Sequence, residues 1–138
     1  IENKEKGVFV LAITSNKGAT ELQNNAGDDL PLYKKVINIA NELNINDNIG
    51  IVVGATQTDV MEEIKNISTG LSWLIPGVGS QGGSLEKSIT ISNQGNIGII
   101  NISRAILYAG RGNLDDIIQS AKNYTTKIQK SLYSLETC

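Results

Sequence analysis

The sequence predicts an α/β fold in which parallel β-strands alternate with α-helices. Short, continuous, β-branched apolar runs recur along the 138 residues, and such runs are typical of strands buried on both faces of a parallel sheet. Amphipathic helical patterns separate them, and this alternation indicates right-handed crossover connections. Because no linker, low-complexity stretch or repeat interrupts the pattern, we expect residues 1–138 to form one unit without an internal domain boundary.

The predicted strands are rich in Val, Ile and Leu and are bounded by polar or glycine-containing sequence. They comprise Val8–Thr14, Ile49–Ala55, Leu71–Ile75 and Ile97–Ile102. The single tryptophan, Trp73, lies in the middle of the third strand. A large apolar side chain at such a position is expected in the core.

Three predicted helices repeat apolar residues at helical spacing, and they comprise Leu32–Leu43, Thr58–Ile67 and Asn113–Leu135. A shorter segment that could hold about two helical turns is Ser84–Ser92. Thr58 is a candidate N-cap, because a threonine hydroxyl can accept a hydrogen bond from an amide of the first turn. Glu62 and Glu63 follow in the early turns, where negative charge is favourable.

The length of the chain leaves two architectures open. A closed eight-stranded barrel typically takes about 250 residues, and this chain is roughly half of that. Four parallel strands on their own would leave two open sheet edges, which favour aggregation. Either the strands form a small open α/β sheet, or another polypeptide supplies the remaining strands. The start without methionine, directly before a strand, suggests a processed or truncated piece.

Composition excludes several classes of function. The chain has no histidine, so histidine-dependent hydrolases and ordinary zinc sites are excluded for it. A single cysteine, Cys138, is consistent with a reducing, cytoplasmic compartment. The net charge of -2 and the absence of a basic cluster argue against nucleic acid as a partner. We expect neither a signal peptide, because Ile1–Lys6 is polar, nor a membrane span.

The carboxyl ends of the predicted strands are the expected position of a functional site. The end of the third strand is the richest, with four glycines among the eight residues Pro76–Gly83. Glycines expose backbone N–H groups and permit positive φ, which suits close approach to an anion. Gln81 adds an amide donor, and Arg104 follows the next strand, where a guanidinium can bind phosphate bidentately. Loop and arginine together predict a phosphate site.

Other polar residues at these ends are less informative. Ser15 closes the first strand, where a serine can simply cap the following segment. Lys17 follows that strand with no carboxylate nearby in sequence, so we interpret it as a solvated loop residue. Arg111, between two glycines, could cover a ligand but is more typical of a loop charge.

Four stretches resemble the orotidine 5'-phosphate decarboxylase family, particularly its bacterial-type second subgroup. The family's fifth strand and the Thr-Ser-Asn-Pro-Gly segment after it resemble FVLAITSNKGATELQ. Its sixth strand resembles VVGATQ, its seventh strand with the phosphate loop resembles LIPGVGSQGGSLE, and its eighth resembles INISRAILYAG. The match follows the family's order over nearly the whole chain, and the pairing of PGVG-x-QGG with S-R-x-I-L-Y-A is specific.

The resemblance implies the C-terminal half, strands 5–8, of a (β/α)8 TIM barrel. Ser15 would then hydrogen-bond the pyrimidine ring, and Pro76 would line the base pocket near the departing carboxylate. The 5'-phosphate would be held by Gln81, Arg104 and backbone groups at Gly83 and Ser103. The reaction, orotidine 5'-phosphate to uridine 5'-phosphate (UMP), would need no metal or cofactor. Homodimers of complete barrels in the cytoplasm are expected.

Two departures from the family pattern accompany this resemblance. Lys17 stands where the family usually has proline. More importantly, the family's Asp-Lys-Asp constellation, which destabilises the carboxylate and protonates the ring carbon, belongs to the second and third strands and has no match in residues 1–138. The chain alone is therefore predicted to be inactive without an N-terminal half-barrel.

Two rival interpretations remain open. The chain could belong to another phosphate-binding barrel enzyme that acts on sugar phosphates, which would share the glycine loop but would not need Ser15. It could also be a small, non-catalytic nucleotide-binding α/β domain, which should then be folded and monodisperse by itself. The decarboxylase interpretation instead predicts exposed strand edges.

Overall fold

The computed structural model describes residues 3–16, 18–23, 30–92 and 97–136, which form a four-stranded parallel sheet with helices packed on one face. The strand order is that of the sequence, and the strands are β1 (Val8–Ile13), β2 (Ile49–Val53), β3 (Ser72–Pro76) and β4 (Gly98–Asn101). All three pairings are parallel. The predicted alternation of parallel strands and helices is confirmed. Among the described residues, no helix is both long and apolar enough to cross a bilayer.

Within the described ranges, four longer helices and two short ones connect and follow the strands. They are α1 (Ala19–Leu22), α2 (Leu32–Leu43), α3 (Met61–Ile67), α4 (Leu85–Ser92), α5 (Arg104–Leu107) and α6 (Leu114–Glu136). The bounds of α2 agree with the prediction, and those of α4 and α6 agree to within one residue. The short helices α1 and α5 were not predicted, since four residues are too few to establish a helical period.

The predicted N-cap at Thr58 is wrong. Helix α3 begins at Met61, its N-cap is Val60, and no side chain caps it. Two hydrogen-bonded turns, Gln57 N–H to Gly54 O and Val60 N–H to Gln57 O, occupy the residues after β2. The Thr58 hydroxyl instead lies 3.4 Å from the Asp59 carboxylate. The helix therefore begins only after these two turns.

One face of the sheet packs against the helices and forms the core. Its strand residues Ile13, Ile51, Val53 and Ile75 are fully buried, and Trp73 is 2% exposed. They form one cluster with the helical residues Tyr33, Ile37, Ala40, Met61, Ile64 and Ile91. The indole N–H of Trp73 donates to Ser68 Oγ at 3.0 Å. The prediction that Trp73 belongs to the core is confirmed.

The opposite face of the sheet carries an apolar row that the described residues leave uncovered. Leu11, Val52, Leu74 and Ile99 are register partners across the four strands. They alternate along their strands with core residues, so they point away from the helices. Leu11 is 52% exposed and Ile99 is 47% exposed. In this part of the chain, β1 and β4 also have unpaired outer edges.

A partly buried polar contact joins α2 to α3. The Tyr33 hydroxyl donates to Glu63 Oε2 at 2.7 Å, and Lys34 forms an ion pair with Glu63 Oε1. The hydrogen bonds from Lys34 and Tyr33 lower the pKa of the Glu63 carboxyl. Burial, the hydrogen bond to Glu63 and the negative charge of that carboxylate raise the pKa of Tyr33. The contact therefore favours ionised Glu63 together with protonated Tyr33.

Candidate functional site

The carboxyl end of β3 is the point where the candidate site begins. Pro76 ends the strand, and its carbonyl accepts hydrogen bonds from Ala55 N–H at 2.8 Å and from the Ser15 hydroxyl at 3.0 Å. Proline has no N–H to offer the sheet, but its carbonyl and ring remain usable at a strand end. These bonds tie the ends of β1, β2 and β3 together at one edge of the sheet.

The loop after Pro76 is compact because its glycines take a conformation that other residues avoid. Gly77 has φ of 101°, in the region that favours glycine. A Cβ at Gly77 would overlap Ser15 Oγ and would lie 3.1 Å from Gln81 Oε1. The Gly83 N–H donates back to Gly77 O at 3.0 Å and closes the loop. The loop thereby places the Gln81 side chain beside the end of β3.

The end of β4 supplies the second wall of the site. Ser103 follows the strand, and its hydroxyl donates to Asn101 Oδ1 at 2.7 Å. Helix α5 starts directly afterwards, so that Arg104 is its first residue. The Arg104 side chain is exposed, and within the described residues no carboxylate pairs with it. Its guanidinium is therefore free to bind an anionic ligand.

The two loops enclose a small cavity of about 90 Å³. Its lining consists of loop residues and strand ends: Pro76, Gly77, Val78, Ser80, Gln81, Asn101, Ser103 and Arg104. Pockets that hold a whole small molecule usually measure roughly 300–1,000 Å³. The cavity therefore has room for a compact group such as phosphate, and the rest of a nucleotide would extend beyond it. Its side-chain donors include the amides of Gln81 and Asn101, the Ser80 hydroxyl and the Arg104 guanidinium, all of which suit phosphate oxygens.

Four of the six residues predicted from the sequence line this cavity, namely Pro76, Gln81, Ser103 and Arg104. Ser15 is not among the lining residues, but its hydroxyl touches Pro76 O from the neighbouring strand end. Gly83 lies on the other side of the loop, where it lines a separate cleft of about 510 Å³ beside α6. Its N–H is bonded within the loop, so the loop would have to change before that amide could meet a ligand.

Arg111 is the one remaining sequence candidate that lies within the described residues, and it does not line the cavity. Arg111 is exposed, and its backbone N–H bonds Asp116 Oδ2 at 3.2 Å. Lys17 and Cys138 lie outside the described residues. Over the described ranges, no cluster of three or more Asp, Glu, His or Cys residues could hold a metal ion.

The sequence reasoning assigned no role to Asn101, which lines the cavity and accepts the Ser103 hydroxyl. Its position could have indicated a role, since Asn101 is the last residue of β4 and directly precedes the loop that follows the strand. Ser80 and Val78 were likewise passed over within the glycine-rich segment. Loop residues of this kind carry no periodic pattern that would indicate which side chains turn inward.

Comparisons with known proteins give one consistent family. The model of the orotidine 5'-phosphate decarboxylase / HUMPS family matches residues 1–114. An orotidine 5'-phosphate decarboxylase of Haloarcula marismortui is 40% identical over 111 residues, which make up 80% of this chain and 40% of that protein.

Solved structures give the same family. The OMP decarboxylase of Leishmania donovani is 32% identical with a TM-score of 0.78, over 94% of this chain and 50% of that one. The orotidine 5'-monophosphate decarboxylase of Methanocaldococcus jannaschii was solved in complex with the inhibitor BMP. It is 26% identical with a TM-score of 0.71, over 90% of this chain and 50% of that one. The chain thus spans half or less of the length of these proteins. The matches confirm the predicted fold class, the C-terminal half of a (β/α)8 barrel. The chain belongs to the orotidine 5'-phosphate decarboxylase / HUMPS family.

Proposed function

We propose that this chain supplies the phosphate- and base-binding half of an enzyme that decarboxylates orotidine 5'-phosphate to UMP in pyrimidine biosynthesis. The observation that carries the proposal is the convergence of Gln81, Ser103 and Arg104 on one phosphate-sized cavity beside Pro76. Membership of the family gives this cavity its substrate class. Residues 1–138 would act as one unit, with no metal or cofactor.

The phosphate end of the site would act by electrostatics and hydrogen bonding. Arg104 can direct two N–H groups at a phosphate, and Gln81 can add an amide donor. The Ser103 hydroxyl proton is already donated to Asn101 Oδ1, so Ser103 would contribute its backbone N–H. Backbone groups at Gly83 would join them after rearrangement of the loop. The phosphate takes no part in bond breaking, so its binding energy helps catalysis only if it orients the reacting ring. A cavity built on two adjacent strand ends supplies that orientation.

At the other end of the site, the pyrimidine base would be bound by Ser15 and Pro76. The Ser15 hydroxyl donates its proton to Pro76 O, which leaves its lone pairs available to accept a hydrogen bond from a ring N–H. Pro76 lines the cavity with its apolar ring. An apolar wall beside the carboxylate favours its departure as neutral carbon dioxide, since burial without a partner destabilises the ionised group. The electron pair of the broken bond stays on the ring carbon until that carbon is protonated.

The decarboxylation step itself would need residues from elsewhere. The bond from ring carbon to carboxylate breaks, carbon dioxide leaves, and the ring carbon takes a proton. The resemblance assigns that proton to a lysine in an Asp-Lys-Asp set on strands of the other half-barrel. The uncovered row of Leu11, Val52, Leu74 and Ile99 supports a missing set of strands, because interior positions of a barrel are filled by side chains from all around it.

The assembly that we propose is therefore a complete barrel, formed by this chain and an N-terminal half. Homodimerisation of such barrels and a cytoplasmic location follow from the family resemblance alone. The partners would be orotidine 5'-phosphate and UMP, with neither nucleic acid nor a membrane involved.

The test is turnover of orotidine 5'-phosphate, followed by loss of substrate absorbance. We expect turnover by the complete barrel and none by a sample proven to contain residues 1–138 alone. UMP and ribose 5-phosphate affinities for the complete barrel are then compared. Tighter binding of UMP supports a base-binding site. Equal affinities, without turnover, would favour an enzyme of sugar phosphates and overturn the proposal.

A further inference from the structure

The backbone that carries Ser15 lies just beyond the regular sheet. Strand β1 ends at Ile13, which pairs with Val53, and the register of the two strands is already irregular between Leu11 and Ile13. The last main-chain bond of this pair is Gly54 N–H to Ile13 O at 2.8 Å. Thr14 and Ser15 therefore follow the end of the β-ladder, and other groups must bond their peptide units.

Side chains take over these bonds where the ladder stops. Gln57 Nε2 donates to Thr14 O at 2.8 Å, and the Thr56 hydroxyl donates to Ser15 O at 3.2 Å. On the other side, Thr14 N–H donates to Gln23 Oε1 at 2.9 Å. The carbonyl before Ser15 and the carbonyl after it are thus both held by adjacent residues of the loop that follows β2.

The same segment is confined sterically. A Cβ at Gly54 would overlap Ser15 N and lie 2.7 Å from Ser15 Oγ. Gly54 is buried and lies two residues before Thr56, the first of the residues that bond the Thr14 and Ser15 carbonyls. The Ser15 backbone therefore rests against β2, while its hydroxyl reaches across to Pro76 O on β3. Two fixed carbonyls and one close wall leave the Ser15 side chain little freedom.

We propose that Thr56 and Gln57 are positioning residues that hold Ser15 in the geometry needed to recognise the pyrimidine base. This inference rests on the proposed function, and it assigns a role to two residues that touch neither the phosphate cavity nor, by this argument, the substrate. They act through the two peptide carbonyls that flank Ser15. Their loss should weaken recognition of the base and spare recognition of the phosphate.

The experiment is a double-mutant cycle in the complete barrel. Gln57→Leu keeps the side-chain size and removes the donor, and Ser15→Ala removes the hydroxyl. We expect Gln57→Leu to weaken UMP binding by about tenfold, the effect of losing roughly 1.4 kcal/mol, and to leave ribose 5-phosphate binding nearly unchanged. In the Ser15→Ala background, Gln57→Leu should have no further effect on UMP binding.

A second pair of variants tests the same proposal in case Gln57→Leu does not fold. Thr56→Val removes the hydroxyl bonded to Ser15 O and preserves the shape of the side chain. Thr58→Val is its matched control, since the Thr58 hydroxyl lies against Asp59 in the same loop. We expect Thr56→Val to weaken UMP binding severalfold and Thr58→Val to leave it unchanged, while both retain cooperative thermal unfolding.

The outcomes separate failure of the proposed function from failure of the positioning role. If Ser15→Ala leaves UMP affinity unchanged, the base-binding role of Ser15 in the proposed function fails, and the positioning role fails with it. If Ser15→Ala weakens UMP binding but the effects of Ser15→Ala and Gln57→Leu simply add, only the positioning role is overturned. Equal losses of UMP and ribose 5-phosphate affinity would also overturn it, because they indicate general damage to the fold.

Discussion

Replacement of Arg104 by alanine tests the phosphate site directly, because this guanidinium is exposed, lines the cavity and has no carboxylate partner among the described residues. A hydrogen bond to a charged group contributes about 1.5–3 kcal/mol, and the planar fork of arginine can make two to one phosphate. We take the lower value, since an exposed side chain must exchange water for the ligand. The loss is then about 3 kcal/mol, or roughly 150-fold in UMP affinity.

The assay compares UMP with uridine in the complete barrel. Arg104→Ala should weaken UMP binding by that factor and leave uridine binding unchanged, since uridine lacks the phosphate. Arg104→Lys retains the charge but loses the fork, so its affinity for UMP should be intermediate. Arg111→Ala is the matched control, because Arg111 is an exposed arginine that does not line the cavity.

Two results would refute this reasoning. If Arg104→Ala weakens UMP and uridine binding equally, the arginine supports the fold or the base end of the site and not the phosphate. If Arg111→Ala weakens UMP binding as much as Arg104→Ala does, general surface charge attracts the nucleotide, and the cavity is not the phosphate site.

Three further predictions concern the loop, the core tryptophan and the buried Tyr33. Gly77→Ala should abolish tight UMP binding, whereas Gly70→Ala, at a similar φ of 85° but with open space around it, should cost only about 1–2 kcal/mol of stability in a urea titration. Trp73→Phe should lower the free energy of unfolding by about 2–3 kcal/mol in the same assay, because a buried indole leaves a cavity. The raised pKa of Tyr33 means that the folded state holds its proton more tightly, so its contribution to stability is complete below about pH 10 and is lost as the pH rises further. Tyr33→Phe should therefore flatten the alkaline decline in the urea midpoint, and an unchanged decline would exclude Tyr33 as its source.

The regular parts of the fold could be predicted because local pattern determines them. Helix α2 shows this, since its apolar residues recur at helical spacing and its bounds agree with the sequence reading. Trp73 was placed in the core because a large apolar side chain inside a β-branched run has few other favourable positions. Each inference depends only on residues that are close in the sequence, and their local pattern indicates the same structure in the folded chain.

The kinds of residue that line the cavity could be predicted from the sequence, whereas the path of the loop could not. A glycine-rich strand end followed by an arginine after the next strand indicates an anion site whatever the exact loop path. The path itself depends on bonds across the fold, such as Ser15 Oγ to Pro76 O, which joins residues 61 positions apart. The orientation of Gly83 away from the cavity and the start of α3 at Met61 both depend on loop hydrogen bonds that have no sequence signature.

Gly77 links the two ends of the proposed site. The position that its missing Cβ would occupy is in contact with Ser15 Oγ on one side and Gln81 Oε1 on the other. Ser15 is the candidate reader of the base, and Gln81 is a candidate ligand of the phosphate. Gly77 is the residue next to both. We therefore expect phosphate binding to influence the position of the base through the packing around this one glycine. That arrangement suits an enzyme in which binding energy from a remote group must improve alignment at the reacting carbon.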